Sequence, residues 1–245
     1  MQFTRSIKAE ALKQAASPYV RWLLSLAVII PLIWSGINAY FSGKETDFEV
    51  APDTIPSQVV SVGMIFVLVY AVIAATSEYN RDGDLILFTS TPKRFWAILA
   101  KLLFTIIMSA LVLFIATVGA FAMYLIFARG SLDGYVLSDD RALWATPVVL
   151  LVSLIAFQGL GWILRSSALA VTVSILWFVV IETAVVLIPK IGQTIYEWMP
   201  LNNLSTLVSQ QGSAVDNWGV SFMYGAAMCI VLWIIGVVVA SKRDC

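Results

Sequence analysis

The chain has 245 residues, of which 60% are hydrophobic and 12% charged, with 15 basic and 15 acidic residues. A soluble domain averages about 45–50% apolar and about 25% charged residues, so the composition excludes an ordinary soluble protein and predicts a polytopic helical membrane protein. The net charge is zero and gives no indication of a nucleic-acid partner. Without any histidine, and with only two cysteines, the chain has too few of the usual ligands for a catalytic zinc or haem site.

Residues 1–21 are predicted to form a short amphipathic helix at the membrane interface. Phe3, Ile7, Ala11 and Ala15 recur at every fourth position, with basic residues beside them. A narrow apolar stripe next to positive charge is typical of a helix that lies on a membrane. The alternative is a frayed tail.

Six apolar runs follow that are long enough to cross a membrane, because about 20 residues at ~1.5 Å rise cross a hydrocarbon core of ~30 Å. The predicted spans are about 22–41, 57–76, 101–127, 144–164, 169–188 and 220–240. The first run follows a basic start, as a signal peptide does, but it is longer than a typical signal-peptide core. The predicted fold class is therefore an all-α integral membrane protein with six transmembrane helices, forming a single transmembrane domain over residues 1–245.

The distribution of basic residues predicts that both termini are cytoplasmic. With that orientation the inner segments hold Arg5, Lys8, Lys13, Arg21, Arg81, Lys93, Arg94, Lys101, Arg165, Lys242 and Arg243. The outer segments hold only Lys44, Arg129, Arg141 and Lys190. Residues 77–100 would then be cytoplasmic, and residues 189–219 would be external.

The connection 189–219 is predicted to contain two short helices in or dipping into the outer leaflet. Ile191, Ile195 and Trp198 have helical spacing, and Pro200 interrupts that pattern. A second short amphipathic segment follows over 204–208.

The stretch 76–101 is rich in polar and charged residues and lies between two long apolar runs. Six charged residues fall within 17 positions of it: Glu78, Arg81, Asp82, Asp84, Lys93 and Arg94. It also contains the apolar run Leu85–Phe88, so it offers a surface that a partner could cover. The alternative interpretation is a loop that only tethers two spans.

This stretch, TSEYNRDGDLILFTSTPKRFWAILAK, resembles the cytoplasmic loop between spans two and three in permease subunits of ABC-type exporters, the type-2 permease family. The residues that carry the resemblance are Thr76, Ser77, Glu78, Tyr79, Arg81, Gly83, Thr91, Pro92, Lys93, Arg94, Ala100 and Lys101. Asn80 and Asp84 depart from the family pattern. The six-span layout with a basic interfacial segment and two short external helices is also similar to that family.

The resemblance implies the membrane-spanning permease subunit of an ATP-driven exporter in a bacterial cytoplasmic membrane, which would form the translocation path. Partners would be two copies of an ABC ATP-binding subunit, a second permease chain as homo- or heterodimer, and membrane lipids. ATP and magnesium would bind the partner, since this chain has no phosphate-binding loop of the form G-x-x-x-x-G-K-[ST], and we expect it to carry no catalytic, cofactor or metal site of its own. The residues expected to contact the ATPase are Glu78, Tyr79, Arg81, Asp82, Gly83, Leu85, Ile86, Phe88, Pro92, Lys93 and Arg94.

Two polar residues within predicted spans are candidates for the translocation path. Glu182 is a carboxylate in the apolar run of span five, and such a group should face the bundle interior or a wet cavity. Its alternative role is a hydrogen-bonded packing residue. Gln158 lies next to Gly159 in span four. Two other functions stay open at this point: a secondary transporter or channel that needs no ATPase, and a membrane scaffold that transports nothing.

Overall fold

The computed structural model describes residues 2–42, 54–77, 94–128, 141–211, 213 and 215–242, and this part of the chain is helical without any strand. The helices are α1 (Gln2–Ala16), α2 (Pro18–Ser42), α3 (Ile55–Thr76), α4 (Arg94–Phe127), α5 (Arg141–Leu164), α6 (Ser167–Ile175), α7 (Glu182–Val185), α8 (Gly192–Glu197), α9 (Pro200–Ser209) and α10 (Trp218–Lys242). A π-helical segment, Leu176–Ile181, joins α6 to α7.

Six helices are long and apolar enough to cross a membrane, which confirms the predicted number. They are Pro18–Ser42, Ile55–Thr76, Ala97–Phe127, Arg141–Leu164, Ser167–Val185 and Trp218–Ser241. The fifth is composite, since it consists of α6, the π-helical segment and α7. The chain is therefore a multi-pass membrane protein, and its helix bounds differ from the predicted ones by a few residues.

Helix α3 is the centre of the bundle. It contacts α2, α4, α5 and α6. In its most apolar stretch of 18 residues, 67% of the residues are buried, compared with 17% in the corresponding stretch of the fifth span. The central core joins apolar side chains of α3 to Leu113, Leu154 and Phe157. The fifth span is peripheral, so most of its surface faces outward from the described helices.

Glycine sets the distance between α5 and α10. A Cβ atom on Gly236 would lie 2.5 Å from the carbonyl oxygen of Gly159, and one on Gly159 would lie 2.7 Å from Cα of Trp233. Small residues of this kind let two membrane helices approach until their backbones touch. Gly225 serves the contact of α10 with α9 in the same way, since its Cβ would lie 2.9 Å from the carbonyl oxygen of Pro200.

The two ends of the bundle differ. Helix α1 packs on the N-terminal part of α4, close to where α3 ends, and we call this the α1 end. The short helices α8 and α9 lie at the opposite end, where Arg141 Nε at the start of α5 donates a 2.7 Å hydrogen bond to the Leu207 carbonyl. We call this the α8–α9 end. The two predicted short helices thus exist, and α9 is docked between α5 and α10 with Leu204 fully buried.

Candidate functional site

The sequence placed its main candidate site on the stretch 76–101, and most of that stretch lies outside the described residues. This holds for Glu78, Tyr79, Arg81, Asp82, Gly83, Leu85, Ile86, Phe88, Pro92 and Lys93, while Arg94 is the first residue of α4. The two ends of the stretch, Thr76 and Lys101, are described, and each is bonded to an element other than its own helix.

A buried polar cluster holds α1 against the bundle. Gln14 Nε2 donates a 2.7 Å hydrogen bond to Glu10 Oε1, and the Tyr70 hydroxyl donates to Gln14 Oε1. Lys101 Nζ lies 4.0 Å from Glu10 Oε1. We call these four residues the α1 clasp; it joins α1 to α3 and α4.

Lys101 is an unusual lysine, because its side chain is only 2% exposed. Its ammonium lies 5.7 Å from the centre of the Trp162 ring, within the range of a cation–π contact. A buried ammonium is costly unless an anion and hydrogen-bond acceptors compensate it, so Glu10 is the natural counterion. The clasp therefore brings a positive and a negative charge together where water is largely excluded.

The packed face of α1 differs from the apolar stripe seen in the sequence. Glu10 and Gln14 are buried, whereas Ala15 is exposed and Leu12 is 74% exposed. Polar side chains are buried here because Tyr70 and Lys101 provide partners.

The other end of the stretch 76–101 is tied to span five. Thr76 Oγ1 and Ser167 Oγ lie 2.8 Å apart, and the Thr76 hydroxyl also contacts the Val72 carbonyl at 3.0 Å. Ser167 is the first residue of α6. A displacement of the stretch at this end would therefore reach spans two and five together.

The π-helical turn in span five positions Glu182. In a π-helix, hydrogen bonds connect residues five apart, so side chains at i and i+5 come to the same face. Trp177 and Glu182 have this spacing, and Trp177 Nε1 donates a 3.1 Å hydrogen bond to Glu182 Oε1. A regular α-helix would rotate the two side chains apart.

Glu182 caps the N-terminus of α9. Its Oε1 accepts the backbone N–H of Leu201 at 3.1 Å, and its Oε2 accepts that of Asn202 at 3.0 Å. The first N–H groups of a helix have no partner within the helix, and the helix dipole favours a negative charge beside them. Pro200 occupies the first turn, where its missing N–H costs nothing. Glu182 is buried, with 5% of its surface exposed.

Two asparagines fix the turn between α8 and α9. Asn202 Nδ2 donates to the Tyr196 carbonyl at 3.0 Å. Asn203 Nδ2 donates to the carbonyls of Glu197 and Met199 at 2.7 and 2.8 Å. These bonds satisfy carbonyl groups at the end of α8, so α8, α9 and Glu182 form one connected unit.

Gln158, the second candidate for the translocation path, is fully buried in α5. Neither its Nε2 nor its Oε1 has a hydrogen-bond partner within the described part of the chain. The neighbouring Gly159 contacts α10, and Gly161 contacts α3. The three hydrogen bonds that Glu182 accepts come from Trp177, Leu201 and Asn202, and not from Gln158.

A cavity of about 560 Å³ lies between α5, α10 and the α8–α9 unit. Its lining is almost entirely apolar and consists of Ala156, Phe157, Leu160, Trp177, Thr194, Ile195, Trp198, Met199, Pro200, Leu201, Met228, Cys229, Val231, Leu232 and Ile235. Trp177 and Leu201, which donate to Glu182, belong to this wall, whereas Glu182 itself is not part of it. The Glu182 carboxylate therefore lies outside the cavity, and its hydrogen bonds hold two of the lining residues, Trp177 and Leu201, in position.

Comparison with known proteins does not assign the chain. No protein-family model matches it. No curated protein sequence matches it either.

The geometry separates two kinds of polar group. The α1 clasp and the Thr76–Ser167 contact connect different helices at the α1 end, so they can transmit displacement. Glu182 and the two asparagines organise a rigid unit at the α8–α9 end. Sequence reasoning singled out Glu182 but had no signal for Glu10 or Gln14, whose partners on other helices lie 56 or more residues away.

Proposed function

We propose that this chain is the membrane-spanning permease subunit of an ATP-driven ABC exporter, with its nucleotide site on a separate subunit. The observation that carries the proposal is that both ends of the stretch 76–101 are bonded to other elements: Thr76 to Ser167, and Lys101 to Glu10. A permease without a nucleotide site must receive force through a contact surface. Force applied to residues 77–100 would be delivered to α1 and to spans two, three and five at once.

The transport cycle follows from these connections. Closure of two ATP-binding subunits would push on the stretch 76–101 and on α1, and the spans tied to them would tilt as rigid bodies. The α1 end would be cytoplasmic, and the α8–α9 end external. Two permease chains would meet in the bacterial cytoplasmic membrane and open their interface outward.

The environment of the buried charges supports this proposal over an ion-coupled transporter. Such a transporter needs ionisable side chains that face a hydrated path. Among the described residues the buried charged side chains are Glu10, Lys101 and Glu182. Glu10 and Lys101 face each other, and Glu182 accepts three hydrogen bonds.

The test uses the loop residues that would contact the ATPase. The gene next to this one should encode an ATP-binding cassette protein, and the two proteins should co-purify after joint expression. Glu78→Ala or Arg81→Ala should release the ATPase or abolish its stimulation in liposomes, since losing one member of a desolvated charged contact commonly costs ~2–5 kcal/mol. The control is Lys190→Ala, which replaces an exposed residue at the α8–α9 end.

Two outcomes would contradict the proposal. If both loop variants keep the partner and full stimulation, the stretch 76–101 is only a tether. If the wild-type chain transports without any ATPase, the exporter assignment is wrong, and a secondary transporter or channel takes its place.

A further inference from the structure

We infer that the cavity at the α8–α9 end binds one acyl chain of a membrane phospholipid, drawn from the leaflet on that side. The inference concerns a lipid site within a single chain, and it does not depend on the proposed transport function.

The first support is the position of the opening. Met228, Val231 and Ile235 line the cavity and are also 42%, 52% and 47% exposed on the outer surface of α10. Since α10 crosses the membrane, this surface faces hydrocarbon and not water. The cavity is therefore open toward lipid tails over the two turns from Met228 to Ile235, about 10 Å along the helix.

The second support is the chemistry of the wall. Among the described residues that line the cavity, only Thr194 and Cys229 carry a hydroxyl or thiol, and Trp177 directs its N–H to Glu182. A largely apolar cavity of this kind disfavours water, because water would find few polar partners in it. An empty cavity forfeits van der Waals contacts with its lining, so a flexible hydrocarbon chain that can enter will fill it.

The third support is the direction of the cavity relative to the membrane. Trp198 lines the cavity and packs edge-on against Tyr224, with the ring centres 5.6 Å apart. Tryptophan and tyrosine are enriched at the level of lipid headgroups. Leu160 and Ile235 lie at the other end of the lining, deeper along the spans. The lining therefore runs from the α8–α9 turn along α5 and α10 to positions past the midpoints of these two helices, which is the direction of an acyl chain.

The size of the site agrees with this occupant. Small-molecule sites usually enclose about 300–1,000 Å³, and this cavity encloses about 560 Å³. The short helices α8 and α9 form its outer side through Thr194 and Leu201. A bound chain would therefore pack against the same unit that Glu182 caps.

The test is photo-crosslinking of the full chain in vesicles of phosphatidylethanolamine and phosphatidylglycerol. The probe is a phosphatidylethanolamine with a diazirine at a defined carbon of one acyl chain, present as a minor component. A probe group near the headgroup should label the α8–α9 turn around Trp198. A probe group near the chain end should label Leu160 and Ile235. A reversed order, or labelling spread evenly over exposed lipid-facing residues such as Phe114 and Leu169, would overturn the inference.

A matched pair of variants isolates the cavity. Val231→Trp introduces a large side chain into the lining, while Val238→Trp makes the same change one heptad later on α10, outside the lining and similarly exposed. Labelling of the α8–α9 turn should fall several-fold in Val231→Trp and stay unchanged in Val238→Trp. Equal labelling in both variants would show that the lipid does not occupy the cavity. If Val231→Trp fails to fold, the inference is still tested by the wild-type protein, through the positions that the probes at different acyl-chain carbons label.

Discussion

Glu182, near the end of span five, accepts the backbone N–H of Asn202, which lies 20 residues later, at 3.0 Å. Together with the bond from Leu201, it supplies the N-terminal cap of α9 from another element of the chain. The carboxylate is therefore engaged by three donors, the third being Trp177. A role in structure and a role in binding cargo predict different results for its substitution.

As a cap, Glu182 should contribute to stability. Glu182→Gln places an NH₂ donor against N–H donors, so at least one buried donor loses its acceptor, and we expect a loss of about 1–3 kcal/mol. The measurement is thermal unfolding of the purified protein in detergent. Glu197→Gln, a half-buried carboxylate in α8, is the control. Unchanged unfolding combined with lost transport would instead indicate a cargo or cation contact.

Lys101 should hold α1 in place. Lys101→Met leaves Glu10 buried without its counterion, and breaking a buried pair in this way typically costs about 3–5 kcal/mol. We expect α1 to undock, so trypsin should cleave at the exposed Lys13 faster than in the wild type. The double variant Glu10→Leu/Lys101→Met should lose less stability than Lys101→Met alone. Equal cleavage rates in the wild type and in Lys101→Met would contradict the prediction that Lys101 holds α1 against the bundle.

The contact between α5 and α10 should not tolerate a methyl group. Gly236→Ala puts a Cβ atom 2.5 Å from a backbone oxygen, so the helices must separate, and overpacking of this kind typically costs about 1–3 kcal/mol. Gly36→Ala is the matched control, because the nearest neighbour of its Cβ among the described residues would be Met123 Sδ, at 3.8 Å. Thermal unfolding of both variants checks the prediction. Equal melting temperatures would mean that the two helices do not approach this closely.

The orientation of the chain in the membrane can be tested at two residues that lie at opposite ends of the helix bundle. Gln193 in α8 and Lys13 in α1 are both exposed. In a Cys245→Ser background, cysteine at position 193 should react with an impermeant maleimide in intact cells. Cysteine at position 13 should react only after the cells are opened, because the basic residues favour a cytoplasmic α1 end. The reverse pattern would invert the membrane orientation and remove the proposed site of ATPase contact.

Hydropathy and residue spacing were sufficient to predict the helices, but not the polar contacts between them. The six spans follow from apolar length, and the two short helices follow from the spacing of Ile191, Ile195 and Trp198 and from Pro200. The burial of Glu10 could not be predicted, because its partner Lys101 lies on another helix. Periodicity describes one helix at a time, whereas a buried polar residue is explained only by its partner.

The same limit applies to Glu182. The sequence identified it as a carboxylate within an apolar run, which is costly unless it is paired. Its partners are backbone N–H groups of α9, and every residue except proline carries such a group. The π-helical turn that aligns Trp177 with Glu182 also leaves no clear sequence pattern.

The cap on α9 has a consequence for the order in which the chain is assembled. Glu182 is synthesised before Leu201 and Asn202, so span five must enter the membrane while its carboxylate still lacks two of its three donors. Nascent α9 then supplies them by folding back, and its packing is complete when Gly225 of the last span lies against its first turn. The last third of the protein should therefore become resistant to protease in a single late step, after translation of α10. A chain that is truncated before Gly225 and released from the ribosome should leave α9 open to cleavage.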